Sequence, residues 1–184
     1  MQRLIIITGD LAAGKSTLAA ALSEKLHIPF ITKDRLKEIA CDIIGFHSRL
    51  ENRLLSENAV SSMIYFFEQA AKVGQDLIME ANFRSVELLQ LKTLADENFY
   101  RVVLVVLTGE VNLLYQRYID RLPSRHIAHQ ALPLERSFEE FATYIDELRR
   151  EQLIFTPHEI DMSELDEEEV VNQALDIIYR ELGQ

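Results

Sequence analysis

Leu4-Ile5-Ile6-Ile7-Thr8-Gly9-Asp10-Leu11-Ala12-Ala13-Gly14-Lys15-Ser16-Thr17 joins an unbroken apolar run to a loop that opens and closes on glycine. Leu4 to Ile7 has the length and β-branching of a buried strand, and Lys15 to Leu26 reads as a helix with a ridge at Leu18, Leu22 and Leu26. Between them, Gly9 to Ser16 fits G-x-x-x-x-G-K-[ST]. A chance match in a chain of this length is on the order of one in a hundred. Glycine lets such a loop wrap closely around phosphate groups, and the helix start aims unpaired N–H groups at their oxygens. Gly9, Ala12, Ala13, Gly14, Lys15, Ser16 and Thr17 are the expected nucleotide-binding residues. Lys15 is expected to be solvent-facing and to reach the terminal phosphates. Ser16 is expected to hold Mg2+ through its hydroxyl.

Working outward, strands are expected at about residues 3 to 8, 28 to 32, 76 to 80, 101 to 107 and 158 to 161. Helices intervene, which predicts an α/β fold with a parallel sheet covered on both faces. Leu36, Ile39, Ala40, Ile43 and Ile44 form a second one-sided ridge, expected to pack on the sheet. A longer helix is expected from Glu51 to Val73, ended by Gly74, and a final one around Val170, Ala174, Ile177 and Ile178.

Two further places lie where strands of such a sheet end, on the edge that carries the ligand. After the second strand comes Thr32-Lys33-Asp34-Arg35-Leu36-Lys37. Asp34 there is either a carboxylate stabilising a helix start capped by Thr32 or the base that takes a proton from an attacking hydroxyl, and one residue can do both. Lys37, one turn on, is a candidate substrate contact. After the third strand, Glu80 and Asn82 are candidates for contact with substrate, Glu80 also acting on Mg2+ through water in the manner of a Walker B acid. In Val111 to Leu122 the apolar residues follow helical spacing and leave Arg117 and Arg121 together on the other face, with Arg125 just beyond Pro123. Like charges at i and i+4 repel, so their clustering points to an anion, although Asp120 and Glu110 also relieve it. His126 and His129 lack a visible third ligand for zinc and read as surface or phosphate-contacting groups.

The chain has 184 residues, of which 48% are hydrophobic and 27% charged, enough for one globular domain spanning 1–184. Its apolar runs fall far short of the ~18 residues a membrane-spanning helix needs. With Cys41 as its single cysteine and no signal-peptide pattern at its start, the expected location is the cytoplasm. The formal net charge is -11, but Glu151 to Gln184 carries -9 of it, leaving -2 over the remaining 150 residues. That balance argues against long nucleic acid as a partner and leaves room for a local cationic site.

Together, Gly9 to Thr17, Lys33 to Lys37, Glu80 to Phe83 and the arginines from 117 to 125 resemble the P-loop kinases of the nucleoside-kinase-like group. These include zeta-toxin-like kinases, small-molecule phosphotransferases and polynucleotide 5′-kinases. The resemblance implies a three-layer P-loop NTPase fold with a five-stranded parallel sheet of order 2-3-1-4-5 and a mobile lid at about 121–135. It implies Asp34 as general base, with Lys15, Arg117, Arg121 and Arg125 on the transferring phosphoryl group. The expected activity is ATP-dependent, with Mg2+, on a hydroxyl of a small molecule or nucleoside-like acceptor. The alternatives are a nucleotide-binding regulator that phosphorylates no acceptor, and a polynucleotide 5′-kinase. No Asn-Lys-x-Asp guanine-reading motif is present, which leans toward ATP. Three positions depart from the pattern. Ala12 stands where many relatives have glycine, Glu80 replaces the more usual Asp, and Asp10 puts a negative charge in the anion-binding loop. Unless it points outward, Asp10 should weaken phosphate affinity.

Overall fold

The computed structural model describes residues 2–129 and 136–183. Five parallel strands, β1 (Arg3–Gly9), β2 (Phe30–Thr32), β3 (Leu77–Glu80), β4 (Arg101–Thr108) and β5 (Pro157–Asp161), form one sheet in the order β2-β3-β1-β4-β5. The helices are α1 (Lys15–Leu26), α2 (Lys33–Ile44), α3 (Arg49–Lys72), α4 (Ser85–Glu97), α5 (Val111–Arg121), α6 (Phe138–Arg149) and α7 (Glu167–Leu182). Two 3-10 turns, Leu122–Ser124 and Ile127–His129, follow α5.

Strand period sorts the core into two layers. Ile5, Ile7, Val103, Val105, Leu107 and Ile160 pack against α1, α5, α6 and α7 on one face. Leu4, Ile6, Met79, Leu104 and Val106 pack against α3 and α4 on the other. Both faces being covered explains why β1, β3 and β4 read as continuous apolar runs rather than alternating ones. Parallel strands aligned this way bring the ends of β1, β2 and β3 to one edge of the sheet.

The second apolar ridge packs toward the sheet core at Leu36 but not along its length as its spacing predicts. Ile39, Ile43 and Ile44 are exposed, the last two at 77% and 70%, whereas Lys37 and Cys41 are the buried positions of α2. The reason is that α2 leans on α3 and the 127–129 turn, where Cys41 joins Leu55 and Ala128 in a small separate core. Its three exposed isoleucines, Ile39, Ile43 and Ile44, are therefore left facing outward.

Candidate functional site

The loop after β1 is held to the sheet by backbone. Gly9 has φ 120°, and a Cβ there would lie 2.1 Å from the Leu107 carbonyl, so only glycine lets β1 and β4 approach this closely before the chain turns. Asp10 N–H then donates to the same carbonyl at 2.8 Å. Gly14, at φ 90°, starts α1, and Ala12 takes φ 65°, a left-handed conformation that favours glycine. Asp10 points neither outward nor into the loop. Its carboxylate is buried at 1% exposure, accepts the Gly109 N–H at 3.1 Å and receives Arg149 Nη2 at 2.6 Å. Arg149, at the end of α6, also donates to the Gly109 carbonyl at 2.7 Å. Its guanidinium offsets the charge that the sequence places in the loop.

Lys15 is not the solvent-facing cation expected. It is only 8% exposed, because α1 begins directly beneath the loop and Nζ turns back to donate to the carbonyls of Asp10 at 2.6 Å and Gly9 at 3.2 Å. Burial lowers its pKa, with Glu80, Asp34 and Asp10 opposing that shift. Ser16 donates to Glu80 Oε2 at 2.9 Å, so the first turn of α1 and the last residue of β3 meet. Glu80 is buried, and desolvation pushes its pKa up against the pull of Lys15 and Ser16. A buried carboxylate beside a hydroxyl is a hard-oxygen donor set of the kind Mg2+ takes, so these two residues fit that ion.

Lys15, Ser16 and Glu80 floor a cavity of about 400 Å3. Asp34, from the first turn of α2, lines one wall with its side chain 57% exposed, while Thr32 caps that helix by accepting the Arg35 N–H at 3.3 Å. Arg121 and Arg125 line the facing side with Tyr118, and Arg125 lies over the Tyr118 ring at 5.8 Å. Asn82 is at the rim with its Oδ1 buried and, among the described residues, without a hydrogen-bond partner. Lys37 is turned away from the cavity, buried and donating to Asn52 Oδ1 at 2.8 Å. Arg117 lies 3.4 Å from the Met162 sulfur and lines a second cavity of about 420 Å3 with Ala13, Thr17, Leu18 and Val171. Of the segment expected as a lid, Leu122–Ser124 packs on α5, Ile127–His129 packs on α2 and is bonded to Asn52 of α3, and 130–135 lie outside the described residues.

Arg149 and Asn52 emerge only from the structure. The start of α6 carries a capping box, Ser137 with Glu140, but nothing local tells that its last residue returns to Asp10, 139 positions away. Asn52 lies in the stretch from Gly45 to Arg53, which matches no motif, and it joins Lys37 to the Ala128 carbonyl.

Residues 2–171 match the family model of the zeta toxin. The chain belongs to the zeta toxin family. A presumed kinase from Chloroflexus aurantiacus superposes on this zeta toxin family member with a TM-score of 0.79 at 24% identity, over 95% of this chain and 97% of that one. A gluconokinase from Sinorhizobium meliloti gives 0.66 at 17% identity, over 97% and 92%. Shikimate kinase from Aquifex aeolicus gives 0.63 at 16%, over 98% and 99%. The fold, with its sheet order, is that of the P-loop kinases. No curated protein sequence matches the chain significantly. Among the described residues, no helix is long and apolar enough to cross a membrane.

Proposed function

We propose that this zeta toxin family member transfers the γ-phosphoryl group of ATP to a hydroxyl of a small-molecule or nucleoside-like acceptor. The observation that carries this reading is the single cavity in which Lys15, Ser16 and Glu80 face Asp34 on one side and Arg121 and Arg125 on another. Phosphoryl transfer needs alignment and charge neutralisation more than covalent chemistry, and such a cavity supplies both. Small-molecule kinases among the similar structures, named for gluconate and shikimate, agree with it.

In this reading the loop N–H groups and Lys15 bind the β- and γ-phosphates, and Lys15 exchanges its two carbonyl partners for phosphate oxygens. The second cavity, with apolar Leu18 and Val171 beside Arg117, takes the base. Ser16 and Glu80 would hold Mg2+, which supplies positive charge to the phosphates. Asp34 takes the proton of the acceptor hydroxyl as its oxygen bonds to the γ-phosphorus. The bond to the β-phosphate oxygen breaks and its electrons leave with ADP. Arg121 and Arg125 offset the charge spread over the transferring group. Asn82 Oδ1 accepts a hydrogen bond from the acceptor. In this reading residues 1–184 work as a single kinase domain in the cytoplasm, where ATP and such acceptors occur together.

The test is incubation with γ-labelled ATP, Mg2+ and a metabolite pool, followed by separation of labelled products. Label on a hydroxyl compound supports the kinase. Nucleotide binding with no transfer supports a regulator instead.

A further inference from the structure

Asp34, Glu38 and Asp42 follow one another at four-residue intervals, so their carboxylates form one acidic stripe along α2. Like charges at this spacing repel. Facing them are the two histidines of the turn after α5. His126 Nε2 lies 3.0 Å from Asp42 Oδ1, and His129 Nε2 lies 3.1 Å from Glu38 Oε1. The Ala128 N–H donates to His126 Nδ1 at 3.1 Å, so the proton of His126 is on Nε2, toward Asp42. His129 Nε2–H likewise donates to Glu38. That leaves its Nδ1 lone pair 3.8 Å from Asp34 Oδ1. Beneath them Asn52 of α3 donates to the Ala128 carbonyl at 2.9 Å, and Ala128 is buried against Cys41 and Leu55. Among the described residues no three of these groups converge as a metal site requires. The arrangement is a docking contact, and it joins the turn that carries Arg125 to the helix that carries Asp34.

We propose that His129 is a positioning residue: by clasping Glu38 it holds the turn that carries Arg125 against the helix that carries Asp34, and its Nδ1, facing Asp34, shares the proton that Asp34 takes from the acceptor. This rests on the reading of Asp34 as the base. When the acceptor O–H breaks and its proton passes to Asp34, the protonated oxygen has the His129 Nδ1 lone pair as its hydrogen-bond acceptor, while Glu38 keeps the other ring nitrogen oriented. A ring with one nitrogen on Glu38 and the other toward Asp34 has room for one more proton between it and Asp34, which the reaction delivers. Burial lowers the pKa of His129. Asp34 opposes that shift, Arg125 and Lys37 add to it, and Glu38 opposes it. Desolvation thus favours the neutral ring. Because its pKa is depressed in the closed clasp, closure is fully favoured above the ordinary histidine range and is lost as pH falls through the depressed value.

The experiment uses the full chain as wild type, His129→Phe, His129→Gln, Glu38→Gln and Asp34→Asn, with circular dichroism melts to confirm folding. Trypsin cleavage after Arg125 should be about 10-fold faster in His129→Phe, the effect of losing a hydrogen bond to a charged group, and near wild type in His129→Gln, which keeps an N–H donor for Glu38. In imidazole proton–nitrogen spectra, the His129 midpoint should lie below that of a solvent-exposed histidine and fall further in Asp34→Asn. Hydrolysis of Mg-ATP by water, used in place of the unidentified acceptor, should show a lower kcat with little change in KM for His129→Phe, and recovery in His129→Gln. Cleavage of His129→Phe at the wild-type rate, or a His129 midpoint unmoved by Asp34→Asn, overturns the proposal. If those two results hold and Asp34→Asn hydrolyses ATP normally, Asp34 is not the base, and the clasp stands as a structural contact alone.

Discussion

The floor and the wall of the cavity are built in different ways. The floor, from Gly9 to Thr17 with Glu80, stands at the ends of β1 and β3. It is fixed by backbone hydrogen bonds, a glycine that lets β4 approach, and buried pairs such as Asp10 with Arg149. The wall, α2 and the turn to His129, leans mainly on α3 and is held by side-chain contacts in which Asp34 and Asp42 are exposed. The floor is therefore set before any ligand arrives. The wall can be unfastened by a change of one or two side chains. In the proposed reaction, phosphate binding would fall to the floor and acceptor alignment to the part that docks.

Substitutions that remove chemistry from either part should have the largest effects. Lys15→Ala acts on the floor and should lower transfer efficiency by about ten thousandfold, counting lost binding and lost charge stabilisation together. Calorimetry with Mg-ATP beside a turnover assay checks it. Because Lys15 is buried, its melting temperature should change as well. Asp34→Asn acts on the wall and separates the two functions: transfer falls by roughly 100-fold to 10,000-fold while Mg-ATP affinity stays near wild type. Asparagine keeps an oxygen at the helix start and Thr32 remains the cap, so stability should change by only about 0.5 kcal/mol.

Smaller effects sharpen the contrast. Arg149→Met leaves the Asp10 carboxylate buried with only the Gly109 N–H, and should destabilise the protein by about 2 to 4 kcal/mol in urea unfolding. Asp10→Asn combined with Arg149→Met should recover most of that loss, since no unpaired charge then remains. The smallest expected change is Ala12→Gly. Relief of the left-handed backbone, set against the extra freedom glycine gives the unfolded chain, should leave a gain of about 0.5 kcal/mol, read as a slightly higher melting temperature.

The same contrast governs what the sequence makes legible. Apart from Glu80, the floor is local, and its motif, strand and helix occupy consecutive residues. Their positions were readable to within a residue or two. The wall depends on partners far apart in the chain: Asn52 with Ala128, Glu38 with His129, Asp34 with His129. Periodicity marked an apolar ridge on α2 but could not tell that the helix leans on α3, where the small Cys41 is covered and the large isoleucines are not. Asp10 is the instructive exception on the floor. The charge was visible as an anomaly, but its answer, Arg149, arrives from the end of a helix 139 residues later.

The central claim is tested most directly by comparing wild type and Asp34→Asn side by side with γ-labelled ATP, Mg2+ and a metabolite pool. The account predicts label on a hydroxyl-bearing small molecule with wild type, and at least ~100-fold less of it with Asp34→Asn at equal ATP binding. Label that stays on ATP or appears only as inorganic phosphate, or transfer that Asp34→Asn leaves unchanged, would contradict it.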